Sequence, residues 1–168
     1  MARTRLEYPE GIVECITATH TRGTILSAKS PVGTNGMTIG WIHFGFAWGR
    51  TCCTVMVRPS RHTHMIIEKA DSFTVSVLPE GLQAAVDLFG DKSGRDLDKF
   101  DAARITPVKA ESVNSVYVKE AELVIECKIA AKVPLNPGLI SAKYVKDCYK
   151  SGDYHTNYFG EITAIHRK

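Results

Sequence analysis

The sequence predicts a mainly β fold, a β-barrel that carries two or three short helices. Several runs are rich in β-branched and aromatic residues, and the most regular, Ser72 to Leu78, alternates polar and apolar side chains. Long helices that alternate with strands, the pattern of a doubly wound α/β fold, do not occur in the sequence. The 168 residues, 44% of them hydrophobic and 23% charged, fit a single domain spanning 1–168.

The predicted strands are separated by glycine, proline or polar residues. The first, Gly11 to Ala18, alternates only in part, whereas Thr51 to Arg58 is a compact β-prone run that Pro59 ends. Met37 to Trp48 contains glycines that suit bends or a close approach of the backbone to a ligand. The remaining predicted strands are Ser72 to Leu78, Val116 to Val118, Ala121 to Lys132 and Tyr158 to His166.

Three short helical segments are predicted between these strands. Ser60 to Ala70 follows a proline, and Ser60 or Thr63 is a candidate N-cap. Pro79 to Phe89 begins with a proline and is followed by Gly90, a common helix stop. Asp96 to Phe100 is long enough for one helical turn.

Composition and charge exclude several classes of protein. The net charge of +3 suits an anionic ligand but is far below the excess expected of a dedicated nucleic-acid binder. No run approaches the roughly 18 apolar residues of a membrane span, and no signal-peptide pattern occurs near the start. The five cysteines show no CxxC spacing, so we expect reduced thiols in a cytoplasmic protein.

The first candidate site is the turn between a predicted strand and helix, residues 57–63. Backbone N–H groups at such a turn favour an anion, and Arg58 can contact a phosphate with two hydrogen bonds. Ser60 and Thr63 add hydroxyl groups. Simple helix capping beside a solvated arginine is the alternative for each residue alone, but their combination favours a phosphate site.

Two further segments add candidate residues, each with a plain structural alternative. In the polar loop 90–100, Ser93 and Lys99 could approach a bound ring, and a solvated loop explains the charges equally well. Asn35 and Gly36 form a dipeptide typical of a turn, yet Asn35, Thr38 and Trp41 offer polar and flat apolar groups to a planar ligand.

Near the end of the sequence, His155 and Phe159 flank the start of a predicted strand. A lone histidine is more often structural than catalytic. Other chemistries lack their motifs, because GxGxxG, GxxxxGK[ST] and GxSxG do not occur in the sequence. His62 and His64 have no third ligand at a recognisable spacing, so we expect no metal site.

The order and spacing of these motifs resemble the flavin reductase-like, flavoredoxin-type family. The likeness runs from about Lys29 to Ile165. It is carried by the segments NGMTIGW (35–41), WGR (48–50), VRPSRHT (57–63), FTVSV (73–77), SGRD (93–96) and FGEI (159–162). The adjacent Cys52 and Cys53 depart from what we expect of that family.

The resemblance implies an FMN-binding, Greek-key-like split β-barrel that forms a homodimer with the flavin near the subunit interface. Arg58, Ser60 and Thr63 correspond to contacts on the phosphate side. The other implied cofactor-binding residues are Asn35, Thr38 and Trp41 beside the isoalloxazine ring, Ser93 and Lys99 from the polar loop, and His155 and Phe159 from the last strand.

Two functions remain open on this resemblance. The chain is expected to be an NAD(P)H-dependent flavin reductase, with NADH or NADPH as the electron donor and FMN as the cofactor. The alternative is an electron carrier that holds FMN without nicotinamide activity and exchanges electrons with a small-molecule or protein partner. A flavin-free β-barrel binding module is a third, more distant possibility.

Overall fold

The computed structural model describes residues 3–168. The strands in this part are β1 (Thr4–Leu6), β2 (Thr24–Ser30), β3 (Gly33–Ile39), β4 (Ile42–Ala47), β5 (Arg50–Val57), β6 (Ser72–Val77), β7 (Pro107–Lys109), β8 (Val116–Val118), β9 (Leu123–Pro134) and β10 (Thr156–Arg167). The α-helices in this part are α1 (Ile12–Thr21), α2 (His62–Ile67), α3 (Gln83–Asp91), α4 (Lys99–Ala102) and α5 (Ala142–Cys148). Short 3-10 helices cover Glu80–Leu82 and Pro137–Leu139.

Eight strands form one antiparallel sheet in the order β3-β2-β6-β9-β10-β5-β4, with β1 paired to β10. β7 and β8 form a separate two-stranded ribbon. The mainly β prediction is confirmed, but residues 3–168 contain five α-helices rather than two or three. None of these helices is both long and apolar enough to cross a membrane.

The predicted strand Gly11 to Ala18 is wrong, because these residues begin helix α1. Gly11 precedes the helix with a left-handed backbone conformation (φ 77°), which glycine adopts without strain. The buried side chains of α1 are Ile12, Cys15, Ala18 and Thr19, a spacing of three to four residues. The partial alternation of apolar residues in the sequence concealed this helical period.

The turn predicted at Asn35–Gly36 is also wrong, since both residues lie inside β3. A Cβ atom at position 36 would lie 2.8 Å from Cε1 of Phe89, so glycine is required for α3 to pack on this strand. A tight turn of this kind occurs instead at Trp48–Gly49, where both residues have positive φ (50° and 69°) and connect β4 to β5. The single strand predicted from Met37 to Trp48 is divided between the end of β3, which finishes at Ile39, and β4, which begins at Ile42.

The predicted helices exist with different limits. α2 covers only His62–Ile67, and its N-cap is Arg61 without a side-chain cap, rather than Ser60 or Thr63. α3 ends at Asp91, so Gly90 lies within the helix and does not stop it. α4 begins after Asp98, whose carboxylate accepts hydrogen bonds from the next backbone N–H groups.

β6 confirms the strand predicted at Ser72 to Leu78, yet both of its faces are buried. Val75 and Val77 point into the barrel core, and the opposite face carries hydroxyl groups. Thr74 Oγ1 donates a hydrogen bond to the carbonyl of Val116 (2.6 Å), and Ser76 Oγ accepts one from the backbone N–H of Val118 (3.2 Å). The alternating polar residues therefore hold β8 rather than face water.

β10 runs between β9 and β5, and its backbone approaches the core closely at Gly160. At Gly160, a Cβ atom would lie 2.7 Å from Cβ of Cys127 and 2.7 Å from two ring carbons of Phe73. Both neighbours are completely buried. A side chain at position 160 would displace the centre of the core.

The substitution Gly160→Ala is expected to lower the free energy of unfolding by roughly 1–3 kcal/mol, because overpacking a dense core forces its neighbours to move. Gly45→Ala in β4 is the matched control, since a Cβ there meets no atom within 4 Å. Chemical denaturation of both variants measures the difference. Equal stability of the two variants would contradict this expectation and show that the core around Cys127 and Phe73 accommodates an added methyl group without loss of stability.

Candidate functional site

A groove forms where four segments meet: strand β3, the β5–α2 loop, the loop after α3, and the residues before β10. It consists of two adjoining cavities of about 150 and 180 Å³. Both are lined by Met37, Thr38 and Arg61, so they form one continuous site. We name the smaller one the cationic cavity and the larger one the aromatic cavity.

The cationic cavity is rich in positive charge and hydroxyl groups. Its lining carries four basic side chains and one carboxylate, that of Asp91. The basic residues are Arg61, Lys92, Arg95 and Lys99, and the hydroxyl residues on its walls include Ser60, Thr63 and Ser93. This donor set matches what a phosphate group requires, because guanidinium, ammonium and hydroxyl groups all donate to anionic oxygens.

Two arginines fix the walls of the cationic cavity to each other. Arg95 donates from Nη1 to the carbonyl of Ser60 (3.0 Å), and Arg61 donates from Nη1 to the carbonyl of Gly90 (3.3 Å). Each arginine therefore extends from one loop to the other. The crossing holds both guanidinium groups at the cavity without a bound anion.

Another part of the cationic cavity's wall is formed by three residues in close contact, Gly94, Asn35 and Thr63. Asn35 is buried on β3 and donates from Nδ2 to Thr63 Oγ1 (2.9 Å). A Cβ atom at position 94 would lie 2.4 Å from Oδ1 of Asn35, so only glycine allows the loop to pass this close. Nearby His62 has a buried Nδ1 without a hydrogen-bond partner in the described part of the chain.

Lys99 begins helix α4, lines the cationic cavity and directs its ammonium group to the C-terminal end of helix α3. Its Nζ donates to the carbonyls of Phe89 (2.9 Å) and Lys92 (3.3 Å), and its side chain is 3% exposed. Phe89 lies in the last turn of α3 and Lys92 directly follows that helix. Carbonyl groups at the C-terminus of a helix attract cations. Burial, assisted by the charge of Arg61, lowers the pKa of Lys99 to about 8.

The aromatic cavity combines two flat rings and two thioethers with the guanidinium groups of Arg58 and Arg61. The indole of Trp41 is 41% exposed and lies with its ring centroid 4.8 Å from that of His155, tilted by 42°. Met37 and Met56 contribute thioethers, which adapt to planar ligands. Thr38 directs its hydroxyl to the carbonyl of Val86, so it shapes the wall through the backbone of α3.

Arg58 lines the aromatic cavity and is held by the segment 135–155, which we name the arm. Its guanidinium donates to the carbonyls of Cys148 (2.9 Å) and Asp153 (3.0 Å) and lies over the ring of Tyr149. Ser60 also binds the arm, because its Oγ donates to Oδ2 of Asp153 (2.6 Å). Arg58 thus lines the aromatic cavity and not the cationic cavity.

The electrostatics of the arm follow from these contacts. Burial, assisted by the charge of Arg58 and opposed by that of Asp153, lowers the pKa of His155 to about 4. Burial alone would raise the pKa of Asp153, but hydrogen bonds from Ser60 and the charge of Arg58 leave it lowered. At neutral pH His155 is therefore an uncharged imidazole, with Nδ1 2.8 Å from the hydroxyl of Tyr149.

Nine of the ten predicted residues line this groove, and Phe159 does not. Its ring packs against Trp48 with centroids 5.9 Å apart, farther along the same strand. The groove also contains residues that sequence reasoning did not select: Arg61, His62, Lys92, Arg95, Met37 and Met56. Arg61 and Arg95 lie within the quoted motifs, so their positive charge was the available signal.

Among residues 3–168, no group of three or more His, Cys, Asp or Glu side chains is arranged to hold a metal ion. Four of the five cysteines are buried and unpaired. Cys53 lies in the barrel core, where burial and the neighbouring Cys127 raise the pKa of its thiol. Such thiols are poor nucleophiles.

Comparison with known proteins gives one curated relative. An uncharacterized protein of Archaeoglobus fulgidus is 27% identical over 131 residues, which cover 78% of this chain and 64% of that protein. The chain therefore spans less than two thirds of the length of this relative.

Two solved structures share the fold. Flavoredoxin of Desulfovibrio vulgaris (Miyazaki F) is 23% identical, with a TM-score of 0.69 over 88% of this chain and 70% of that chain. The FMN-binding domain of a flavin reductases-like enzyme from Shewanella baltica OS155 is 14% identical, also with a TM-score of 0.69, over 99% and 77%. The split-barrel prediction is confirmed by these likenesses.

The sequence pattern of one family extends over nearly all of the chain. The family described as flavin reductase like domain matches residues 17–168, which include every residue of the groove. The resemblance inferred from the sequence motifs is therefore confirmed. The chain belongs to the flavin reductase like domain family.

Proposed function

We propose that this protein is an FMN-binding oxidoreductase, an NAD(P)H-dependent flavin reductase. The observation that carries the proposal is the joining of a cationic cavity to a flat aromatic cavity in one groove. FMN has the same two parts, a phosphate and a planar ring. Family membership and the likeness to an FMN-binding domain support the same cofactor.

The residues of the cationic cavity fit the phosphate end of FMN. Arg61 and Arg95 offer guanidinium groups that are already held in place, which reduces the entropy lost on binding. The unpartnered Nδ1 of His62 gives a further polar contact at the same end. Gly94 keeps the loop close to Asn35, and a side chain there would narrow the cavity.

The ring end supplies flat contacts and a fixed positive charge. Trp41, Met37 and Met56 give apolar surface for a planar ring. Bound FMN would supply the hydride and electron chemistry. The guanidinium group of Arg58 favours the negative charge that a ring gains on reduction. His155 is uncharged at neutral pH and therefore adds no charge of its own at this end of the groove.

An electron carrier with bound FMN and no nicotinamide activity is the second candidate. The likeness to flavoredoxin of Desulfovibrio vulgaris favours it. Both candidates need the same groove, so geometry does not separate them. A protein or small-molecule partner would then exchange electrons with the flavin.

Anaerobic mixing of the FMN-loaded protein with NADH or NADPH distinguishes the two candidates. We expect the flavin absorbance near 450 nm to decrease rapidly after mixing, because the nicotinamide reduces the bound ring. Dithionite is the control that shows the flavin can be reduced. A flavin that dithionite bleaches and neither nicotinamide bleaches would favour the electron carrier.

The assignment of the phosphate end predicts different losses for FMN and riboflavin. Arg95→Ala should weaken FMN binding at least about tenfold, which corresponds to the loss of one charge-assisted hydrogen bond. It should leave riboflavin binding nearly unchanged, because Arg95 lines the cationic cavity and not the aromatic cavity. Arg58→Ala should weaken both ligands alike, because Arg58 lies at the ring end. Isothermal titration of the apo-protein measures the four affinities.

The control for this series is Arg50→Ala, whose side chain lies outside the groove and pairs with Glu161 on the surface. It should bind both ligands as the unaltered chain does. Equal losses of FMN and riboflavin affinity in Arg95→Ala would contradict the placement of the phosphate. Failure of the unaltered protein to bind FMN would refute the proposed function itself.

We also propose that the protein is a cytoplasmic homodimer, as the family resemblance implies. Exposed aromatic residues support an interface near the groove: Phe46 is 74%, Trp48 67% and Trp41 41% exposed, all in or beside β4. Light scattering of the FMN-loaded protein should give twice the mass of one chain. The mass of a single chain at micromolar concentration would contradict the dimer.

A further inference from the structure

A third cavity of about 390 Å³ lies between helix α1 and strand β4, and we name it the α1 cavity. It shares Gly40, Trp41 and Met56 with the aromatic cavity, so the indole of Trp41 separates the two spaces. A Cβ atom at Gly40 would meet no atom within 4 Å, which leaves open space beside this boundary. A ligand here would lie next to the ring end of the groove.

The lining of the α1 cavity differs from that of the groove. Its apolar surface comes from Ile16 of α1 and Ile42 of β4, together with the shared residues. His20, at the end of α1, and His43, in β4, add one imidazole from each wall. Among the described residues, those that line this cavity include no lysine, arginine, aspartate or glutamate.

The remaining polar side chain of the lining is already satisfied. Thr19 Oγ1 donates to the carbonyl of Cys15 (2.7 Å) and lies 3.0 Å from Thr24 Oγ1. The two histidines are exposed and make no such hydrogen bonds within the described chain. A neutral imidazole always carries one N–H donor and one acceptor nitrogen, so either ring can bind an oxygen of a ligand.

We propose that the α1 cavity binds a small, uncharged, conjugated carbonyl compound of the quinone class as a redox partner of the flavin. This inference rests on the proposed function. An apolar space of this volume is within the usual range for small-molecule sites, and few polar groups fix the ligand in such sites. Here the histidines would bind the carbonyl oxygens while Ile16 and Trp41 contact the ring.

The absence of fixed charge argues against a dinucleotide in the same cavity. The pyrophosphate of NADH requires cationic or backbone donors, and those cations lie in the groove instead. The transfer of a neutral ring from water to the apolar lining is favourable in free energy. An anion would instead lose its hydration with no cationic side chain to replace it. The ligand class follows from this difference between neighbouring cavities.

The chemistry of such a ligand balances with a flavin neighbour. A quinone becomes a hydroquinone by taking up two electrons and two protons. The electrons would come from reduced FMN, which returns to its oxidised form. Because the indole of Trp41 separates the two spaces, the proton of the reduced cofactor would be released to solvent. His20 and His43 would each transfer one proton from solvent to a carbonyl oxygen of the quinone.

Filling the cavity tests the proposal without relying on activity. The probe is 2-methyl-1,4-naphthoquinone, titrated into the protein loaded with oxidised FMN, where no electrons are available. Ile16→Trp places an indole in the cavity and should weaken quinone binding at least tenfold. Val13→Trp is the matched control on the same helix, since Val13 is 76% exposed and does not line the cavity.

Both tryptophan variants should retain the FMN affinity of the unaltered protein, because neither residue lines the groove. Unchanged quinone binding in Ile16→Trp, or a titration without heat for the unaltered protein, would overturn the proposal. If FMN fails to bind, the same titration is made on the apo-protein. Quinone binding there would show that the proposed function failed and the cavity assignment did not.

Replacing the histidines tests their role in recognition. The double variant His20→Phe, His43→Phe should bind the quinone about tenfold more weakly and bind 2-methylnaphthalene, which lacks carbonyl groups, as before. An equal loss of affinity for the two probes would show that the histidines do not recognise the carbonyl groups. Displacement of the quinone by NADH in the FMN-loaded protein would contradict an uncharged ligand and assign the cavity to the nicotinamide donor.

Discussion

The pairing of β10 with β5 on one side and β9 on the other is the constraint on which the site depends. Thr156 lies opposite Val57 at the end of this pairing, so His155 and Arg58 leave the sheet side by side. Every contact between Arg58 and the arm follows from that register. Because a shift of one residue would turn every side chain to the other face, the buried residues of β10 fix the register strongly.

The cationic cavity depends on contacts between loops rather than on one loop alone. Arg61 and Arg95 each cross to a carbonyl of the opposite segment, and Lys99 holds the carbonyls from which the second segment departs. The positive charges are therefore placed by backbone acceptors before any ligand arrives. An arrangement prepared in this way binds an anion with little reorganisation.

How far the sequence predicted the structure varies with the range of the interactions involved. Strand β6 was clear because alternation is a local property, although its polar face is buried by β8, which the pattern does not show. α1 was missed because its apolar residues fit a period of two as well as a helical period. Motif order located nine groove residues. The roles of Lys99 and Arg58 depend on partners 10 and 90 or more positions away, which spacing does not reveal.

The two carbonyls that Arg58 holds belong to the arm, and Tyr149 and His155 of the arm also lie beside the indole of Trp41. Release of that segment would free a guanidinium and uncover the indole of Trp41 in the same movement. The residence time of a cofactor would then be set by how often the arm detaches, and not only by its affinity. A firmly attached arm suits a permanent prosthetic group, and a loosely attached one suits a flavin that leaves after each turnover.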